Sequence, residues 1–123
     1  MSQLPSAFDF RKRVAYHKWE KRDFHLAARR QLRRLAEALG LPLGAYNIRS
    51  NAGGMAVSGE IILHGDRVYV HVSQPATGHD TGVMFRTCDG RKDYCGGPNN
   101  FASLDLLNRP DELASRIRAV CHV

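Results

Sequence analysis

The chain is 123 residues long, 43% hydrophobic and 24% charged, with a formal net charge of +6. That length supports one sizeable core, and the composition excludes wholesale disorder and a bilayer-spanning helix, since no uncharged apolar run approaches the ~20 residues a span needs. Asp9, and the lack of a continuous apolar stretch before Arg11-Lys12-Arg13, argue against a secretory signal, so the cytoplasm is the expected compartment.

The charge is unevenly placed. Residues 1–39 hold ten of the eighteen Lys and Arg against four acids, while residues 40–123 hold eight of each sign. The whole excess therefore lies in the opening third, where it produces a local field suited to a polyanion, of which nucleic acid is the commonest. A solvated helix face that only confers solubility is the plainer reading of the same residues.

Residues 1–22 are carried as a basic arm, ordered or not, in which Phe8, Phe10, Val14 and Tyr16 alternate with other residues and Lys12 interrupts the pattern, which leaves an edge strand, an arm or the start of a helix open. The arm leads into a single α+β domain over 23–123. Asp23 is a good N-cap. Phe24, Ala28, Leu32, Leu35 and Leu39 then recur at three- and four-residue steps, and Gly40 and Pro42 supply a stop. The pattern predicts an amphipathic helix whose apolar members fall within an arc of about 80°, with Arg22, Arg29, Arg30, Arg33 and Arg34 on the other side.

Gly53-Gly54 and Gly65-Asp66 read as two-residue hairpin turns in a β-rich stretch, which predicts a meander over residues 45–74. Taken literally, these turns pair Ile48 with Gly59, Ile61 with Val70 and Leu63 with Val68. Tyr46, Ile48, Val57, Gly59, Ile61, Leu63, Val68, Val70 and Val72 then share one uncharged face. Asn47, Arg49, Ser58, Glu60, Ile62, Tyr69, His71 and Ser73 take the other, with Glu60 beside His71. A fourth strand is expected over Gly82–Cys88, bringing Arg86 to the polar face. Residues 89–100 are turn chemistry throughout and predict a mobile or function-bearing loop. Ser103 is placed to cap a short turn with Leu104, Leu106 and Leu107. The last helix opens with Pro110, Asp111 and Glu112 and packs through Leu113, Ile117 and Val120. The expected architecture is thus α+β: an N-terminal helix, a four-stranded antiparallel meander and a C-terminal helix, both helices covering one sheet face. This order is similar to that of double-stranded-RNA-binding domains in topology alone. Their last helix starts rich in lysine, whereas this one starts with Asp111-Glu112, so none of that family's residues carry over.

Three kinds of chemistry are candidates. Arg11, Lys12, Arg13, Arg22, Arg29, Arg30, Arg33 and Arg34, helped by Arg49, Arg86, Arg91 and Lys92, can grip successive phosphates of a nucleic acid, RNA or DNA, without reading sequence. Tyr16 and Trp19 can stack on bases or pack in the core. Glu60 and His71 form either an ordinary cross-strand ion pair or the start of an acid–base arrangement that lacks a nucleophile, so no catalytic residue is assigned and enzymatic activity stays open. The cysteines Cys88, Cys95 and Cys121 are odd in number, and Cys88 and Cys95 are too widely spaced for a zinc knuckle even with His122, so free thiols and no metal are expected. With no Gly-Lys-Ser/Thr loop or dinucleotide fingerprint, no cofactor is expected either. The leading expectation is a small basic nucleic-acid-binding protein with no membrane attachment. The alternative is a protein-interaction module or small inhibitor, of the kind a mobile element encodes, using the open sheet face or the 89–100 loop.

Overall fold

The computed structural model describes residues 7–15, 17–53, 56–76 and 80–121. A long helix α1 (Lys18–Ala38) is followed by strands β1 (Tyr46–Asn51), β2 (Glu60–Gly65), β3 (Val68–Val72), β4 (Val83–Thr87) and β5 (Asn100–Ala102). A 3-10 turn (Leu104–Asn108) then leads into helix α2 (Pro110–Arg118). The strands pair antiparallel in chain order. Ile61, Leu63, Val68, Val70, Val72, Val83 and Phe85 on one sheet face pack with Phe24, Leu32 and Leu35 of α1 and Leu113 and Ile117 of α2 in a single core. The fold is therefore α+β with both helices on one face, as the sequence predicts, but with five strands instead of four. Among the described residues, no helix is long and apolar enough to cross a membrane.

Helix α1 begins at Lys18, ahead of the predicted cap at Asp23. His17 is its N-cap, and its Nδ1 accepts from the Trp19 amide at 3.3 Å. Its end follows the prediction. Gly40 adopts φ 75°, and the Gly40 and Leu41 amides donate back to the Glu37 and Ala36 carbonyls, a left-handed stop that a glycine accommodates without Cβ strain.

The sheet keeps its predicted faces while changing register. Ile48 faces Leu63 where a Gly53-Gly54 turn would place Gly59, because residues 52–59 form a longer connection; Gly54 itself lies outside the described residues. Ile61 faces Val72 where a Gly65-Asp66 turn would place Val70, because Asp66 and Arg67 make the turn. Both slips are even-numbered, and side chains alternate with period two, so the same residues reach the core. The longer connection removes Val57 and Ser58 from the sheet. Ser58 is buried, its Oγ donating to the Gly59 carbonyl and accepting from the Gln74 amide. At Gly59 (φ 69°) a Cβ would sit 2.9 Å from His25 Nε2 and closer still to the Asn51 carbonyl, so α1 and this connection meet where only glycine fits. Tyr69, expected exposed, is buried, and Val120 is exposed beyond the end of α2.

The described part of the arm, residues 7–15, is folded onto the domain. Phe10 is buried against Phe24, with ring centroids 5.9 Å apart. The buried Gln74 amide straps it down by donating to the Phe10 and Lys12 carbonyls at 2.9 and 2.7 Å and accepting from the Val14 amide at 2.9 Å. Tyr16 lies outside the described residues.

Candidate nucleic-acid interface

Packing α1 on the sheet through Phe24, Ala28, Leu32 and Leu35 turns its other side to solvent, as a helix of 3.6 residues per turn requires. Lys18, Trp19, Arg22, Leu26, Arg30, Arg33 and Arg34 are all exposed there. None of the ten cations of the opening third forms an ion pair with a carboxylate of the described residues. Their hydrogen bonds go to neutral groups. Arg29 turns to the sheet edge and donates to the Ile48 carbonyl and Ser50 Oγ at 3.2 and 3.1 Å, Lys21 donates to the Ala52 carbonyl, and Arg34 to Gln31 Oε1. The charge of Arg29 and Lys21 remains uncompensated while the bonds to Ile48 and Ala52 fix the helix along the β1 edge.

Trp19 settles one alternative left open by the sequence. Its side chain is 52% exposed, as is Leu26, so neither belongs to the core. Lys18 Nζ lies 5.1 Å and Arg22 Cζ 5.6 Å from the indole centroid, close enough for cation–π attraction to order the three side chains together. Beneath the stripe, His25 is buried and donates from Nε2 to the Ser58 carbonyl at 2.7 Å. Burial pushes its pKa down against that hydrogen bond, and Lys21 and Arg29 push the same way, so the imidazole stays neutral.

The arm differs from the helix. Arg11, Lys12 and Arg13 are exposed, but Arg13 spends its guanidinium on the Pro75 and Ala76 carbonyls. Lys12 and Arg13 also share a groove of about 160 Å³ with Asp9, Glu20 and Asp23. The groove between the arm and the first turns of α1 thus sets both signs of charge beside one another, and further along α1 the exposed arginines form no ion pair, with Glu37 the acid nearest them in the helix.

Arg49, Arg86 and Arg91 lie on the far side of the sheet, away from α1, in a cluster closed by the 89–99 loop. His64, fully buried there, accepts from Arg49 Nη2 at Nδ1 (3.2 Å) and donates from Nε2 to the Gly90 carbonyl (3.0 Å), since guanidinium only donates and a carbonyl only accepts. That assigns the neutral Nε2–H tautomer, in keeping with a pKa lowered first by burial and then by Arg49, against the Gly90 bond. Tyr94 crosses this cluster, 5.4 Å from the His64 ring and 5.5 Å from Arg49 Cζ. Arg86 stacks at 4.3 Å on Tyr69 and donates to the Tyr94 carbonyl. Arg91 binds Asp66, Asn47 and the Gly44 carbonyl. These contacts tie down the loop that the sequence leaves as mobile or function-bearing, and of its two cations only Lys92 is exposed.

Further along the same face, His71 and Glu60 pair at 2.7 Å, which holds the Glu60 carboxyl below its ordinary range chiefly through the hydrogen bond from His71. No hydroxyl or thiol of the described residues is hydrogen-bonded to this pair, Ser58 having left the sheet. The three cysteines are free, and among the described residues no cluster of His, Cys, Asp or Glu has metal-binding geometry. Gln74, which organises the arm, carried no sequence signal, being a lone amide after β3. Comparison with family models, curated proteins and solved structures finds no match to this chain.

Proposed function

We propose that the protein binds nucleic acid through the solvent face of α1, with Lys18, Arg22, Arg30, Arg33 and Arg34 contacting phosphates. The observation that carries this reading is the set of exposed cations without carboxylate partners running along one helix face. Such a row gains affinity mainly by releasing counterions from the polyanion, and forked guanidinium donors match phosphate oxygens. Arg11 and Lys12 extend the surface at one end and Arg29 along the β1 edge, while Arg49, Arg86 and Arg91 support the fold from the opposite face. Because no base-reading module is present among the described elements, binding shows little sequence preference. Titration of a labelled oligonucleotide at low and at near-physiological salt tests the proposal. The expected result is affinity at low salt that falls steeply as salt rises, and no binding at low salt overturns it.

One observation favours a second reading, a protein-interaction module. Ile62, His71, Met84 and Phe101 stand in one register row across the open face, with Phe101 and Tyr94 exposed. A stoichiometric protein partner that survives nuclease and high salt and is lost on Phe101→Asp supports it.

A further inference from the structure

Building on that reading, we infer that the ligand of the α1 face is single-stranded, with one unpaired base stacked on the Trp19 indole between phosphates held by Lys18 and Arg22. The argument starts from what an exposed indole can recognise. A duplex turns its base faces inward and shows a protein only base edges and backbone, whereas a single strand offers π-faces that stack on aromatic side chains regardless of base identity. Trp19 is half-exposed on the helix side away from the core, so its position is not explained by burial. Cations one residue before it and three residues after it lie 5.1 and 5.6 Å from its centroid. Both cations lie over the ring, so a base that stacks on the indole takes their place on its face and leaves them at the phosphates on either side of it. Leu26, equally exposed and about two helical turns further along, provides a second apolar rest before Arg30 and Arg33 resume the charge.

Trp19 is the only tryptophan, so its emission reports this site alone. Three ligands are compared at low salt: a short oligo(dT), a blunt duplex of the same length, and anionic phospholipid vesicles. Affinities are read by anisotropy of labelled nucleic acid, alongside indole emission. The inference predicts tighter binding of oligo(dT) than of duplex and quenching of Trp19 by the single strand. It also predicts that Trp19→Ala loses about tenfold in oligo(dT) affinity with duplex affinity unchanged, and that Trp19→Phe recovers part of that loss. An unchanged melting temperature in both variants shows that they fold. Duplex binding as tight as single-strand binding, or a Trp19→Ala variant that binds oligo(dT) like the parent, overturns the inference and leaves the nucleic-acid reading standing. Emission that responds to vesicles while neither nucleic acid binds overturns both.

Discussion

The outer face of α1 and the open face of the sheet both carry arginines and aromatics, yet they put them to opposite uses. On the sheet, Arg49 is bound to His64, Arg86 is stacked on Tyr69 and bonded to the Tyr94 carbonyl, and Arg91 is held by Asp66, Asn47 and Gly44. On α1, Arg22, Arg30 and Arg33 stand in solvent and form no ion pair, although Asp23 and Glu37 are exposed on the same helix, and Trp19 stands with them. The difference teaches that the availability of a charge, not its presence, is what qualifies a face to meet a charged ligand. Availability is decided by partners far away in the chain.

The sharpest way to break this comparison is to reverse charge on each side. Arg22→Glu, Arg30→Glu and Arg33→Glu together should abolish oligonucleotide binding, a loss of about a hundredfold or more, with little change in melting temperature, since surface substitutions rarely cost more than about 0.5 kcal/mol each. On the sheet side the order of effects inverts. Arg86→Ala removes the guanidinium stacked on Tyr69 and leaves the Tyr94 carbonyl without its donor, a loss offset in part because the buried, unpartnered Nε goes with it. It should lower unfolding free energy by about 1–3 kcal/mol in denaturant titration and speed amide exchange across residues 89–99, while oligonucleotide affinity stays within about twofold.

Acid should act on the buried side of both regions. His25 and His64 have folded pKa values below the ordinary 6.5, mainly through burial. The unfolded chain therefore binds more protons once pH drops below about 6.5, and the stability that neutral histidines contribute above that pH is lost as pH falls through their folded values. Glu60, lowered from 4.5, adds a second loss of the same sign further down, as His71 loses its carboxylate partner. His64→Gln keeps a donor for the Gly90 carbonyl but does not titrate, so it should reduce the first window in a pH series of melting temperatures to the share that His25 contributes, and leave the second. The smallest effect belongs to Lys92, exposed on the pinned loop: Lys92→Ala should move neither stability by more than about 0.5 kcal/mol nor affinity by more than about twofold.

Much of the scaffold was readable in advance because its rules are local or periodic. The three- and four-residue spacing of Phe24, Ala28, Leu32 and Leu35 placed α1, Gly40 marked its end, and alternation assigned Ile61, Leu63, Val68 and Val70 to the core even though their pairing partners were misassigned. Period-two alternation protects a face assignment from an even slip and gives no protection to a pairing, which depends here on the 52–59 connection being longer than its glycines suggest. Strand β5 escaped notice because Asn100–Ala102 is too short to show alternation and forms only by pairing with β4. The stripe of arginines was legible as a helix face, but its lack of ion pairs was not, nor was the capture of Arg91 by groups more than forty residues earlier in the chain. For Trp19 the sequence alone does not separate stacking from packing, since burial preferences for tryptophan point toward packing while its basic neighbours point toward solvent.

The dependence of affinity on salt tests the central claim most directly, because it measures how many phosphates are neutralised and by which residues. For a single strand gripped by the free α1 cations, log affinity should fall against log salt with a slope of about −3. Alanine at Arg22, Arg30 and Arg33 should make that slope shallower by about 2, and alanine at Arg86 and Arg91 should leave it as it was. A slope that follows the sheet-face arginines and ignores those of α1 would contradict the account.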